Sequence, residues 1–245
     1  MQYHTSVTGA LQTVARLSRS SPYVAPILAP VPKAVAIASR QAQRYPTITA
    51  DHGTRTALRK VGLPVVQLVI LPPDPDGENV PMLLMSNTPV GERETWSHVL
   101  DDDNEHPLEW RNYQLARGKR GAITWRLNTI AREHYRKRIA RLITGRGGAP
   151  APGERPYQLS DETAHAQVLK LADHLLHYPG LSGIRADIFD LAQYSTKLWR
   201  STRPQTPYPV WPTMPYVRFM RPQTALLAQL ALENTHDETQ KENSP

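Results

Sequence analysis

Proline divides this chain into short segments and limits how long its helices and strands can be. The 245 residues include 23 prolines, roughly twice the usual share. Proline fixes φ and lacks an amide donor, so it ends a helix or occupies the edge of a sheet. The prolines cluster in 22–32, 72–75 and 203–222, with a further Pro-Gly break at 179–180. The periodic stretches between these breaks therefore determine the fold.

The first 90 residues predict helices followed by a β-hairpin. Apolar side chains recur at helical spacing in 5–19, and a second helix is predicted for 33–44. Two apolar runs, 65–71 and 80–85, flank a loop that contains Asp76-Gly77. Such runs around an Asp-Gly loop are typical of a β-hairpin.

The remainder predicts one more hairpin and then helices. Strands are predicted at 110–116 and 122–127, and a helix capped by Asn128 at 129–144. An antiparallel helical pair is predicted from Ser160 to Arg200, followed by extended chain and a last helix at 224–233.

These elements predict an α+β fold, with two β-hairpins and flanking helices in the N-terminal half and a helical C-terminal half. The Gly- and Pro-rich stretch from Gly145 to Pro156 is the predicted boundary. The predicted domains are therefore a mixed α/β domain at 1–146 and a helical domain or subdomain at 157–233. A disordered tail is predicted at 234–245.

Composition excludes several classes of protein. Because there is no cysteine, disulfides and Cys-ligated zinc or iron–sulfur sites are excluded. No run of 18 apolar residues occurs, so we expect no transmembrane helix and no membrane partner. The N-terminus is basic, Ser-rich and free of acids until Asp51. That pattern also occurs in organelle transit peptides, but a cytoplasmic location is the expectation.

Positive charge is concentrated in one segment, 117–146, which we call the basic segment. It holds ten Lys or Arg residues and one acid, Glu133, so its formal charge is +9. The whole chain carries +7, and the rest therefore sums to −2. A local excess of this kind is typical of contact with a polyanion.

We therefore predict that the basic segment binds the phosphate backbone of a nucleic acid. Trp125 is a candidate to stack on an unpaired base, as is Tyr135. The predicted nucleic-acid-binding residues are Arg117, Lys119, Arg120, Trp125, Arg126, Arg132, Arg136, Lys137, Arg138, Arg141 and Arg146.

The alternative is that the basic segment faces an acidic neighbour within the chain. Residues 92–109 hold seven carboxylates and one Arg, and we call them the acidic segment. Under this alternative the basic helix is a solvated surface with salt bridges to the acidic segment. The two interpretations are compatible if the acidic segment screens the basic one until a partner binds.

No catalytic residue, metal site or cofactor is predicted. The run Asp101-Asp102-Asp103 with Glu105 and His106 lacks the spacing of a calcium loop. His174 and His177 share a predicted helix but have no evident third ligand. The chain contains no P-loop, GxGxxG, HExxH or G-x-S-x-G motif. A metal-dependent nuclease remains an alternative, since carboxylates can converge from separate elements.

Two stretches carry a resemblance to known proteins. The first is Ile123–Leu127 leading into a helix. The second is Tyr178–Arg185, followed by a helix ending in Leu198–Arg200 and by Trp211–Arg218. Together they resemble accessory proteins carried on conjugative plasmids and integrative elements of bacteria. The resemblance implies a bacterial protein that works near DNA or RNA, one such setting being a plasmid-borne CRISPR ribonucleoprotein. Zinc-binding versions of such subunits would need cysteines, which this chain lacks.

The sequence thus predicts a non-enzymatic nucleic-acid-binding protein that works with other protein subunits in a bacterial nucleoprotein assembly. The second hypothesis is a protein–protein adaptor or structural subunit. Its contact surfaces would be the acidic segment and the Pro- and aromatic-rich stretch 203–222.

Overall fold

A computed structural model describes residues 1–101, 107–118, 121–145, 159–217, 221–230 and 232. They form two compact units, Met1–Pro107 with Phe219–Pro245 (unit 1) and Leu108–Arg218 (unit 2). The predicted α+β class is confirmed, with antiparallel sheets, strands in the N-terminal half and helices in the C-terminal part.

The strands and helices are numbered in chain order. The strands are β1 (Gln2–His4), β2 (Tyr23–Pro30), β3 (Val66–Ile70), β4 (Asn79–Ser86), β5 (Ser97–His98), β6 (Glu109–Trp110), β7 (Tyr113–Arg117), β8 (Ile123–Leu127) and β9 (Thr224–Leu226). The helices are α1 (Val7–Leu17), α2 (Val31–Arg44), α3 (His52–Lys60), α4 (Thr129–Thr144), α5 (Asp161–Leu176) and α6 (Ser182–Thr202). In the residues that the structure describes, no helix is long and apolar enough to cross a bilayer.

The main sheet of unit 1 has the strand order β3-β4-β2-β5. The predicted hairpin is its β3–β4 pair, in which Val66 is opposite Ser86. The other inner strand of the sheet, β2, was not predicted, because its prolines indicated a break. The strand tolerates Pro26 and Pro30 because it pairs with β4 along its length but with β5 only at Tyr23 and Val24. Both prolines lie where β2 has no second partner in the described sheet, so a missing amide donor costs no ladder bond.

The last predicted helix, 224–233, is wrong at its start. Thr224–Leu226 is strand β9 and pairs antiparallel with β1, which was also not predicted. The first helical residue after it, Leu227, is buried in a core cluster with Ala34 and Met82. Local propensity cannot indicate pairing between two three-residue strands at opposite ends of the sequence.

Unit 2 combines a three-stranded antiparallel sheet, β6-β7-β8, with three helices. Helix α4 packs on α5 and α6, and β8 packs on α6. Fully buried side chains of this unit include Trp125, Leu127, Ile139, Leu171 and Trp199.

The two units divide the chain at 107/108 and 218/219, whereas the boundary predicted from the sequence is the stretch from Gly145 to Pro156. The β7–β8 hairpin belongs with the helices because β8 packs directly on α6. Apart from Gly145, the C-cap of α4, the predicted linker lies outside the described residues, as does the predicted tail at 234–245, and both stay predictions.

Candidate nucleic-acid interface

The β7–β8 hairpin begins the basic segment. Arg117 ends β7, is exposed and lies opposite Ile123. The turn closes through the Gly118 amide, which donates to Ala122 O at 2.6 Å, and Gly121 has φ +73°. That backbone conformation suits glycine. The predicted site residues Lys119 and Arg120 lie outside the described residues.

Trp125 is part of the core of unit 2. Its side chain is 1% exposed, so it cannot stack on a base while the fold is intact. Trp125 is therefore removed from the predicted nucleic-acid-binding residues. The alternation of side chains along β8 indicates this burial, because Trp125 and Leu127 occupy one face of the strand and both are buried.

Arg126 is committed to an internal ion pair. Its Nη2 lies 2.5 Å and its Nε 3.1 Å from Asp187 Oδ1. The other carboxylate oxygen of Asp187 accepts from the Leu127 amide at 2.8 Å. Asp187 is 2% exposed, and hydrogen bonding to it raises the pKa of Arg126. This guanidinium joins β8 to α6, so the structure gives it a different role from the predicted phosphate contact.

Helix α4 presents five of the remaining cations, and both of its ends are fixed. The Asn128 side chain accepts from the Ala131 amide at 2.9 Å and donates to Glu109 Oε2 at 3.2 Å. At the other end Gly145 adopts the left-handed conformation with φ +69°. The helix is anchored through a buried stripe of Ala131, Tyr135, Ile139 and Ile143.

Four polar residues lie together on the solvent side of α4. Their spacing of three and four residues aligns them on one side of the helix, about 10 Å long. We call this surface the α4 outer face, which comprises His134, Lys137, Arg138 and Arg141, all exposed. It unites three of the predicted site residues with one histidine outside the predicted set.

Arg132 and Arg136 lie on the other side of the buried stripe, toward α6. The Arg136 guanidinium is 5.1 Å from the centre of the Tyr194 ring. Arg132 donates to Thr129 Oγ1 at 3.4 Å. Both line a groove with the carboxylates of Glu133 and Asp190. This groove has mixed charge, so it is less suited to a polyanion than the α4 outer face. Arg146, the last predicted site residue, lies outside the described residues.

Tyr135 is also unavailable for base stacking. It is 5% exposed, and its hydroxyl lies 2.5 Å from that of Tyr178 and 3.3 Å from His174 Nε2. Burial, followed by the hydrogen bond with Tyr178, raises the pKa of Tyr135. The cluster holds α4 against the end of α5.

Part of the acidic segment is engaged within its own unit. Glu94 pairs with Arg44 and accepts from the Tyr45 hydroxyl at 2.5 Å. Burial and this contact raise the pKa of Tyr45 to about 12. Asp102, Asp103, Glu105 and His106 lie outside the described residues. Screening of the basic segment by the acidic segment therefore stays a prediction.

Within the described ranges, no group of three or more His, Asp or Glu residues is placed to hold a metal ion. His174 contacts Tyr135, whereas His177 Nδ1 lies 2.8 Å from Asp173 O. The two histidines of α5 thus have separate partners.

Comparisons of this chain with protein-family models, with curated proteins and with solved structures find no match.

Proposed function

We propose that this protein binds nucleic acid and that the α4 outer face is the principal contact. The observation that carries the proposal is the exposure of Lys137, Arg138 and Arg141 together on one side of a helix that is capped at both ends. Side chains on a rigid helix meet successive phosphates without a large loss of backbone entropy. Arg117, at the base of the hairpin turn, supplies a further exposed cation.

The wider part of the proposal is a non-catalytic subunit of a bacterial nucleoprotein assembly in the cytoplasm. Its support is the resemblance of Ile123–Leu127 and Tyr178–Arg185 to accessory proteins of mobile elements. A CRISPR-type ribonucleoprotein is one such assembly. In this setting the protein contacts both nucleic acid and other subunits.

The test measures binding of fluorescein-labelled 30-mers by anisotropy, with double-stranded DNA, single-stranded DNA and single-stranded RNA as separate probes. Wild-type protein is compared with the triple variant Lys137→Glu, Arg138→Glu, Arg141→Glu. The matched control is Lys33→Glu, Arg40→Glu, Lys60→Glu, which changes the net charge equally at exposed positions of α2 and α3.

We expect wild-type binding to weaken steeply between 50 and 200 mM salt, because phosphate contacts release counterions. The triple variant should lose binding at both salt concentrations, while the control retains it. Wild-type protein that binds none of the three probes at 50 mM salt overturns the proposal. Equal losses in the triple variant and the control assign the effect to net charge and also overturn it. Cleavage of a probe with Mg²⁺ or Mn²⁺ would favour the nuclease alternative.

A further inference from the structure

A second exposed surface of unit 2 is apolar. A groove of about 310 Å³ lies between α6 and the extended chain 207–217, which we call the proline strap. It is independent of the α4 outer face, because its α6 residues include Ile188, Phe189 and Ala192, whereas Tyr194 of α6 contacts α4. The volume is at the lower limit for small-molecule pockets, so the groove suits side chains better than a cofactor.

Hydrogen bonds and a ring contact hold the proline strap in place at both ends. Toward its start, the Tyr208 hydroxyl donates to Ala192 O at 3.4 Å, and its ring lies 6.2 Å from that of Trp199. Toward its end, Arg185 Nε donates to Met214 O at 3.2 Å. The Val217 amide donates to Gly180 O at 3.2 Å. The groove between these anchors is therefore preformed, which lowers the entropic cost of filling it.

The groove exposes large apolar side chains to solvent. Phe189 is 61% exposed on α6, and Val210 is 79% exposed on the proline strap. Among the described residues that line the groove, Arg185 is the charged one. Its guanidinium lies 5.5 Å from the centre of the Tyr216 ring, itself 63% exposed. Exposed apolar side chains beside a cation are complementary to a partner that combines apolar and acidic residues.

The groove wall also contains an unsatisfied donor. The indole N–H of Trp211 is shielded from solvent and has no acceptor among the described residues. A buried donor without an acceptor is destabilising. This second feature favours a partner that supplies acceptors as well as apolar surface.

We propose that the groove is the docking site for an amphipathic helix of a second protein, with apolar residues at i, i+4 and i+7 and a carboxylate that meets Arg185. A partner strand is disfavoured, because Pro207, Pro209, Pro212 and Pro215 remove the amide donors that strand addition needs. A helix needs no backbone pairing and uses its apolar face instead. This site goes beyond the proposed nucleic-acid binding and does not depend on it.

The test selects peptides from a phage-displayed library of 14-residue amphipathic helices, with three fixed apolar positions and the others randomised. The bait is the purified full-length protein, and selection against Val210→Asp removes peptides that bind elsewhere. Enriched peptides are synthesised, and their affinities are measured for wild type, Phe189→Ser and a control, Ile130→Ser. Ile130 is 76% exposed on α4, so the control removes an apolar side chain that is at least as exposed as Phe189 and lies outside the groove.

We expect the enriched peptides to carry Asp or Glu beside the apolar positions. Phe189→Ser should weaken their binding at least tenfold, Ile130→Ser should not, and replacing the peptide's acid by Lys should weaken it severalfold. The triple variant of the α4 outer face should bind them as wild type does. No enrichment over Val210→Asp, or enrichment of basic peptides, overturns the proposal.

Two other occupants give distinct results that also overturn it. A second copy of this chain would show as dimerisation in sedimentation equilibrium that Val210→Asp abolishes. Single-stranded nucleic acid would show as oligo(dT) binding that Phe189→Ser abolishes.

Discussion

Arg126 and Arg138 belong to the same basic segment but have different surroundings. Arg126 is fixed by three contacts with the buried carboxylate of Asp187, while Arg138 projects from the α4 outer face into solvent. A second internal example is Arg203, which donates to Ile143 O and Leu159 O and pairs with Asp161. The difference shows that a local excess of positive charge overestimates the number of ligand-binding cations, because some of these cations stabilise the fold.

The largest expected effect comes from removing an internal arginine. Arg126→Met leaves the buried Asp187 carboxylate without its cation, so we expect the free energy of unfolding to fall by about 3 kcal/mol. This is the lower end for a broken buried pair, because the Arg126 side chain is itself 39% exposed. Urea unfolding followed by tryptophan fluorescence measures it.

The matched variant Arg138→Met should change the free energy of unfolding by less than about 0.5 kcal/mol. Similar losses in the two variants would break the distinction between internal and outer cations.

The next largest effect is expected from a substitution at the contact between β8 and α6, where the internal Arg126–Asp187 pair lies. A Cβ on Gly183 would lie 2.4 Å from the backbone oxygen of Trp125. Gly183→Ala therefore forces the strand and the helix apart, and we expect a loss of about 2 kcal/mol. It should also disturb the Arg126–Asp187 pair, which spans the same contact.

Ala186, exposed on α6, provides the control for this experiment. Ala186→Ser should unfold at nearly the wild-type urea concentration. If Gly183→Ala does so too, the packing of β8 on α6 is looser than the structure indicates.

Sequence patterns predicted the elements of unit 2 better than the roles of their side chains. Helix α4 was predicted with the observed bounds, because Asn128 and Gly145 are strong local end signals. The burial of Trp125 follows from strand alternation, but the pairing of Arg126 with Asp187 joins residues about 60 positions apart. Such a contact has no local signature. The same holds for β1 and β9, whose pairing joins opposite ends of the sequence.

A smaller effect, on the salt dependence of nucleic-acid binding, distinguishes the outer cations from the internal one. Each of Lys137→Gln and Arg138→Gln should reduce the slope of log K against log salt by about 0.9, the value for one lost phosphate contact on duplex DNA. Arg126→Gln should leave the slope unchanged for the fraction that remains folded. Anisotropy titrations at four salt concentrations measure the slopes. A reduced slope for folded Arg126→Gln would assign the internal cation to the interface.

The smallest expected effect is the pH dependence of the Arg203 site. Hydrogen bonding from Thr206, followed by contact with Arg203, lowers the pKa of Asp161. A carboxyl whose pKa is lower in the folded state stabilises the fold above its unfolded pKa, and this contribution is lost as pH falls through the folded value. Wild type should therefore be more stable than Asp161→Asn at pH 5, and the gap should narrow toward pH 3. Urea midpoints of both proteins across that range measure it. A gap that stays constant would show that the ionised carboxylate does not stabilise this internal arginine site. The role of Arg203 would then resemble that of the exposed cations of α4 more than that of Arg126.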